Sequence, residues 1–298
     1  MKDNVIRIAV MSDIHSNLAA LDACLSDSRR FKTKYYLFLG DLVSDWHQPS
    51  EVLKKISSVS ERVIRGNREN ALIDRRSIGY DGLWSKYDQF ASMEWTYKAM
   101  SAKERDYIES LPAQMRVPVN EHFSLRLVHG SVFSPDELML KKNGGEGVRP
   151  SLEAVKDNVL LFGHSHEQWQ TVVDGKIAIN PGSVGIHFNK KQAAEYCIIE
   201  IEGDRFEVIF RQVNYPLEKY AASFFKTDLY EKAHVWFFIN YIGMQQGNNI
   251  LNSFFKDIEE ERKVSDLSTT GPVPNDIWYK VFEEKYSKLA MDYFFKQN

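Results

Sequence analysis

Cysteine is nearly absent from this chain: Cys24 and Cys197 are the only two among 298 residues. They lie far apart and form no CxxC pair, which excludes a disulfide scaffold and reads as two inert thiols in a reducing, cytoplasmic compartment. An excess of one charge is missing too. Thirty-eight lysines and arginines stand against 41 aspartates and glutamates, a formal net charge of −3. Long nucleic acids, which demand a basic footprint, are therefore not the expected partner. Long apolar runs are also lacking. The first, Val5 to Met11, is broken by Arg7 and leads directly into Asp13 and His15, so it reads as a strand and not as a secretory signal. The stretch from Val235 to Met244 is too short and interrupted to span a bilayer, and no membrane partner is expected. A phosphate-binding loop is missing as well: Asn143-Gly144-Gly145-Glu146-Gly147 lacks the lysine and the strand-to-helix setting, and reads as a mobile loop near the site. What is present is ordinary globular composition, 43% hydrophobic and 27% charged, enough for a substantial core.

The apolar pattern changes three times along the chain. Residues 1 to about 75 alternate strand and helix, with Leu18, Leu21, Ala23 and Leu25 on one helix and Val52, Leu53 and Ile56 on another. That alternation argues for parallel strands joined by right-handed crossovers. Trp84 to Leu111 is helical and rich in aromatics, and Ser101 with Glu104 forms a capping-box signature. From Gln114 to Gln212 the period becomes two, and Asp174-Gly175 reads as a hairpin turn. Asn214-Tyr215-Pro216 then marks a boundary. Leu217 to Gln297 is read as a helical extension rich in Phe, Trp and Tyr, broken at Gly247-Asn248-Asn249 and again from Thr270 to Pro274. We expect residues 1–213 to form one domain, with 214–298 packed on it or serving as a homo-oligomer surface.

Five segments place metal-binding side chains at the ends of apolar runs. They are Ser12-Asp13-Ile14-His15, Gly40-Asp41, Gly66-Asn67-Arg68-Glu69, His129-Gly130 and Gly163-His164-Ser165-His166. Strand, turn and polar residue repeated along one sheet edge is how open α/β sheets build a site. The mixture of carboxylate, amide and imidazole suits Mn, Fe, Co or Zn better than Mg or Ca. In Asp13-Ile14-His15 and His164-Ser165-His166 the paired ligands are two residues apart, which in an extended segment puts them on one face.

This order of motifs, from about residue 5 to 212, resembles the calcineurin-like metallophosphoesterase superfamily. Asn180-Pro181-Gly182-Ser183, Trp95-Thr96 and Ser110-Leu111-Pro112 are similar to its small bacterial and archaeal phosphodiesterase branch. The resemblance implies a four-layer α/β/β/α sandwich and two divalent metal ions. It implies that one is held by Asp13, His15, Asp41 and His166, the other by Asp41, Asn67, His129 and His164, with Asp41 bridging. It also implies hydrolysis of a small phosphodiester or nucleoside polyphosphate, such as a dinucleoside polyphosphate. The alternatives are a scaffold whose metal site has decayed, or a phosphomonoesterase or protein phosphatase. Where the superfamily carries His after Gly-Asn, this chain has Arg68. Arginine can grip a phosphate oxygen but cannot donate a proton at neutral pH. With Asp41, Arg68 is expected to act in catalysis, and Asn67 and Arg68 to contact substrate. Asn17 reads first as a helix N-cap and second as a substrate contact, and His187 is a substrate candidate on position alone. Asn180 could face the metals or begin a turn, and Gly40, Gly66, Gly130 and Gly163 are expected to let the backbone approach the ions.

Overall fold

A computed structural model describes residues 5–76 and 81–295; Gln297, the end of the expected helical tail, lies outside them. The strand β1 (Ile6–Met11) shows why the fold is layered. Its alternate residues bury in two different cores: Ile8 and Val10 between two sheets, Ala9 and Met11 under helices. Both faces of the strand are covered from Ile8 to Met11, so past Arg7 it is apolar at every position.

The first sheet has the order β2 (Tyr35–Phe38), β1, β8 (Ala194–Glu202) and β9 (Arg205–Val213). β1 pairs in parallel with β2 and antiparallel with β8. The second sheet has the order β3 (Met115–Pro118), β4 (Ser124–Leu127), β5 (Val159–Leu161), β7 (Lys176–Pro181) and β6 (Gln168–Val173). Leu125, Leu127, Val159, Leu161 and Ile179 of this sheet meet Ile8, Val10, Leu37 and Ile199 of the first. Helices α1 (Leu18–Arg30) and α2 (Pro49–Val59) cover the outer face of the first sheet, and α7 (Gly144–Ala154) that of the second. The expected four-layer α/β/β/α sandwich is what the chain forms.

The helical stretch before β3 is divided into α3 (Asn67–Asp74), α4 (Asp81–Trp84), α5 (Ala91–Ala99) and α6 (Ala102–Ser110). The capping box at α6 is present: Ser101 N–H donates to Glu104 Oε2 at 2.7 Å, and Glu104 N–H to Ser101 Oγ at 3.3 Å. Asp174 and Gly175 turn the β6–β7 hairpin at positive φ. The loop expected at residues 143–147 is a correction. After Gly144 the chain enters α7, whose glycines and Pro150 hide it from propensity. Val148 and Leu152 bury against Leu160, Phe162 and Trp169, and that packing outweighs the poor helix formers.

Beyond Pro216 the chain forms α8 (Leu217–Phe224), α9 (Leu229–Gln246), α10 (Leu251–Val264), α11 (Asn275–Lys285) and α12 (Ser287–Phe295). Their aromatic core includes Phe224, Phe237, Phe238, Phe254 and Trp278 and is continuous with Trp46, Ala91 and Ile186. No helix among the described residues is long and apolar enough to cross a membrane.

Candidate metal centre

Every nominated ligand sits where a strand or helix ends. Asp13 and His15 follow β1, Asp41 follows β2, Asn67 opens α3, His129 follows β4, and His164 and His166 follow β5. Backbone hydrogen bonds tie these turns together: Asp13 N–H to Gly40 O at 3.1 Å, His15 N–H to Asp41 O at 2.9 Å, and Gly163 N–H to His129 O at 2.7 Å. Asp13 and His15 converge on one cluster while His164 and His166 part to different ones, and neither pair has extended geometry. Asp13, His15, Asp41, His164 and His166 all have positive φ, from 48° to 64°. Side chains rarely adopt this region, and such strain gathers at functional sites. At Gly163 and Gly66 the missing side chain lets neighbouring turns close on the ligand carboxylates. A Cβ on Gly163 would fall 2.0 Å from Ser12 Oγ, and one on Gly66 2.2 Å from Asp41 Oδ1.

The turns gather two clusters. The ligand atoms of Asp13, His15 and His166 lie within 4.8 Å of one another, and so do those of Asp41, His129 and His164. Asp41 stands between them, with Oδ1 3.4 Å from His129 Nε2 and Oδ2 3.8 Å from His15 Nε2. Asn67 Oδ1 lies 3.0 Å from His129 Nε2, which brings the amide into the second cluster.

Hydrogen bonding tests whether these groups suit cations. His129 Nδ1 donates to Leu39 O at 2.8 Å and His166 Nδ1 to Ile186 O at 2.6 Å. A carbonyl can only accept, so each neutral ring carries its proton on Nδ1 and presents a lone pair at Nε2. His164 does the reverse, its Nε2 facing Asp136 O at 3.2 Å and leaving Nδ1 as the lone-pair atom. His15 Nδ1 faces Asp45 Oδ2 at 2.8 Å. His166 Nε2 thus points its lone pair at His15 Nε2 across 3.2 Å, where the Asp45 carboxylate beside His15 Nδ1 favours a proton on Nδ1 and a second lone pair on Nε2. His129 Nε2 points one at the Asn67 carbonyl oxygen. Asp13 Oδ1, buried beside three imidazoles, has no hydrogen-bond partner. Acceptors turned on acceptors need a positive charge between them, and imidazoles anchored through the other nitrogen are how proteins hold divalent metals. The residues fit the ions.

Without a cation, protons serve instead. Burial pushes the Asp13 carboxyl up, but His166 and His129 outweigh it and hold the group at about 2. Burial likewise opposes ionisation of Asp41, yet His129, His15 and Arg68 keep it well below the usual carboxylate range. For His129, burial favours the neutral ring, but Asp41 and Asp13 raise it to about 10.

Two residues escaped the sequence reading. Buried Glu69 accepts four backbone N–H groups: Asp41 at 2.9 Å and Gly66 at 2.7 Å on Oε2, Leu42 at 2.9 Å and Val43 at 3.2 Å on Oε1. Burial and the Asp41 charge push its carboxyl up to about 7, against N–H groups that favour ionisation. Its signal was its place three residues after Gly66. Asp45, four residues past Asp41, pairs with His15 and with Arg68 Nη2 at 3.4 Å.

Arg68 stands at the rim, partly exposed, with its guanidinium 5.5 Å from the centre of the Trp236 ring. Asn17 and His187 must be corrected as substrate contacts, because both are fully buried. Asn17 caps α1 by accepting from Ala20 N–H at 3.0 Å, and its amide donates to Gly185 O. His187 Nε2 meets the Tyr215 hydroxyl at 3.1 Å. Asn180 braces the turn, donating to Gly163 O and accepting from Gly182 N–H.

Residues 6–204 match the model of the calcineurin-like phosphoesterase superfamily domain. The chain belongs to this phosphoesterase superfamily. It is 28% identical to an uncharacterised protein of Methanocaldococcus jannaschii over 229 residues, 71% of this chain and 89% of that one. Its structure is similar to a metallophosphoesterase from Sphaerobacter thermophilus, with a TM-score of 0.61 at 25% identity, covering 77% of this chain and 94% of the other. A hypothetical protein from Pyrococcus horikoshii shares the fold at a TM-score of 0.63 and 20% identity, covering 73% and 92%.

Proposed function

We propose that this chain hydrolyses a small nucleoside polyphosphate or phosphodiester with two divalent cations of the Mn, Fe, Zn or Co type. Asp13, His15 and His166 would hold one ion, Asn67, His129 and His164 the other, and Asp41 would bridge them. The observation that carries the reading is the pair of imidazole clusters with lone pairs turned inward about Asp41. Bound there, two dications supply Lewis acidity towards a phosphoryl group and an activated water at neutral pH. The chain supplies positioning. The Arg68 guanidinium lies 3.4 Å from Asp45, whose carboxylate also faces His15 of the first cluster, so a phosphate shared by the two clusters would come within its reach. Arg68 offsets charge that builds on the phosphoryl oxygens.

Arg68 also bears on the substrate class. It cannot protonate a leaving group, so the reading favours groups that depart as anions. A phosphoanhydride releases such a group, whereas an alkyl ester needs a proton. Nucleoside polyphosphates, including dinucleoside polyphosphates such as diadenosine tetraphosphate, therefore rank above nucleic-acid strands, as the balanced charge also suggests. The filled ligand set argues against a decayed scaffold. To test this, metal-stripped protein is resupplied with Mn²⁺, Co²⁺ or Zn²⁺ and offered bis(p-nitrophenyl) phosphate, diadenosine tetraphosphate, a cyclic nucleotide and a nucleoside monophosphate. Metal-stimulated cleavage, fastest on the polyphosphate, is expected. No turnover with any metal would sink the enzyme reading, and preference for the monophosphate would make it a phosphomonoesterase.

A further inference from the structure

Helix α9 touches one half of the metal centre at two points. The indole Nε1–H of Trp236 donates to Asp45 Oδ1 at 2.7 Å, and the other Asp45 oxygen lies 2.8 Å from His15 Nδ1. Two helical turns on, and so on the same face, Gly243 packs against Phe188. A Cβ there would come 2.9 Å from Phe188 Cε1 and 2.9 Å from the Asn248 carbonyl oxygen. Phe188 in turn stacks on His166, with centroids 5.7 Å apart and planes 16° from parallel. His15 and His166 belong to the same cluster, with Asp13. The rings of the other cluster are anchored within the α/β core, His129 on Leu39 O and His164 on Asp136 O.

We propose that α9 is a positioning element for one of the two cation sites: Trp236 through Asp45, and Gly243 through Phe188, aim the Nε2 atoms of His15 and His166. This rests on the two-cation reading above, but concerns metal affinity rather than turnover. The helical extension then completes the site at Asp13, while the site at His129 forms without it. A ligand ring held through its other nitrogen by a carboxylate loses about 10- to 100-fold in metal affinity when that partner is disturbed.

The test titrates metal-free full-length protein with Mn²⁺, following heat of binding and counting bound ions. Wild type should take up two. Trp236→Phe removes the indole N–H but keeps a ring beneath Arg68. It should bind one ion as wild type does and the other about 10- to 100-fold more weakly, with thermal unfolding of the metal-free protein little changed. Gly243→Ala, which crowds Phe188 towards His166 and also meets the Asn248 carbonyl, should give the same selective loss, beyond any drop in thermal unfolding of the metal-free protein. In a His129→Ala background, Trp236→Phe should weaken the remaining ion; in a His15→Ala background it should not. Wild-type titration by both single variants would overturn the proposal, as would equal weakening of both ions, which would make the extension a general stabiliser. A wild type that binds two Mn²⁺ but cleaves nothing would defeat the phosphoesterase reading and leave this one standing on its titrations. A wild type that binds no Mn²⁺ overturns both.

Discussion

At the scale of single residues, the ligands were the most legible part of the chain. Metal-binding residue types are few, and each sits beside a glycine or at the end of an apolar run. Their geometry was not legible, because left-handed φ at Asp13 and His15 is set by hydrogen bonds to Gly40 and Asp41 in another turn. Asp41→Ala should abolish binuclear metal uptake and lower turnover by at least about 10²–10³-fold, the scale of losing one oxyanion donor. Two ions and normal rates in that variant would show that the bridge is misassigned. Arg68→Ala should slow hydrolysis by about 10- to 100-fold, the worth of one charge-assisted hydrogen bond, with metal content intact. Arg68→His should exceed Ala chiefly on poor leaving groups, where a proton donor helps. Equal rates for Arg, Ala and His on nitrophenyl and alkyl esters alike would reduce Arg68 to a bystander.

At the scale of elements, burial decided what local propensity left open. Helix α7 was hidden by Gly and Pro, and only the apolar face of the second sheet explains it. Glu69 was hidden for another reason: a glutamate in the first turn of a helix is commonplace, and its sequence does not say that it caps another loop as well. Glu69→Gln keeps the shape but turns an amide NH₂ towards backbone donors. Stability should drop by about 1–3 kcal/mol for the donors left unpaired, read from denaturant midpoints. An unchanged midpoint would mean that water replaces the carboxylate at no cost. The aromatic extension should resist limited proteolysis, with first cuts near Gly247 or Gly271. Rapid release of an intact fragment ending near Asn214 would instead make residues 214–298 a loose appendage.

At the scale of the whole molecule, the half-buried His47 and the buried His187 link acid stability to the join between core and extension. Burial lowers His47, against Tyr220 and Ser223 of α8, from 6.5 to about 4. Burial, with the His166 charge, lowers His187 to about 3. Both rings are neutral when folded and gain protons more readily when unfolded. Their contribution is therefore complete above pH 6.5 and is lost as pH falls towards 4 and 3. The melting temperature should decline across that window, and His47→Gln should flatten its upper part. An identical acid profile in that variant would remove His47 from the account.

The two thiols have a use of their own. Burial raises both far above their ordinary range, so neither ionises in the native protein. Yet they occupy different seams: Cys24 lies between α1 and the first sheet, and Cys197 between the two sheets. An alkylating reagent can reach each only when its own seam parts. The chain thus carries two internal clocks, and their relative labelling rates report which layer separates first.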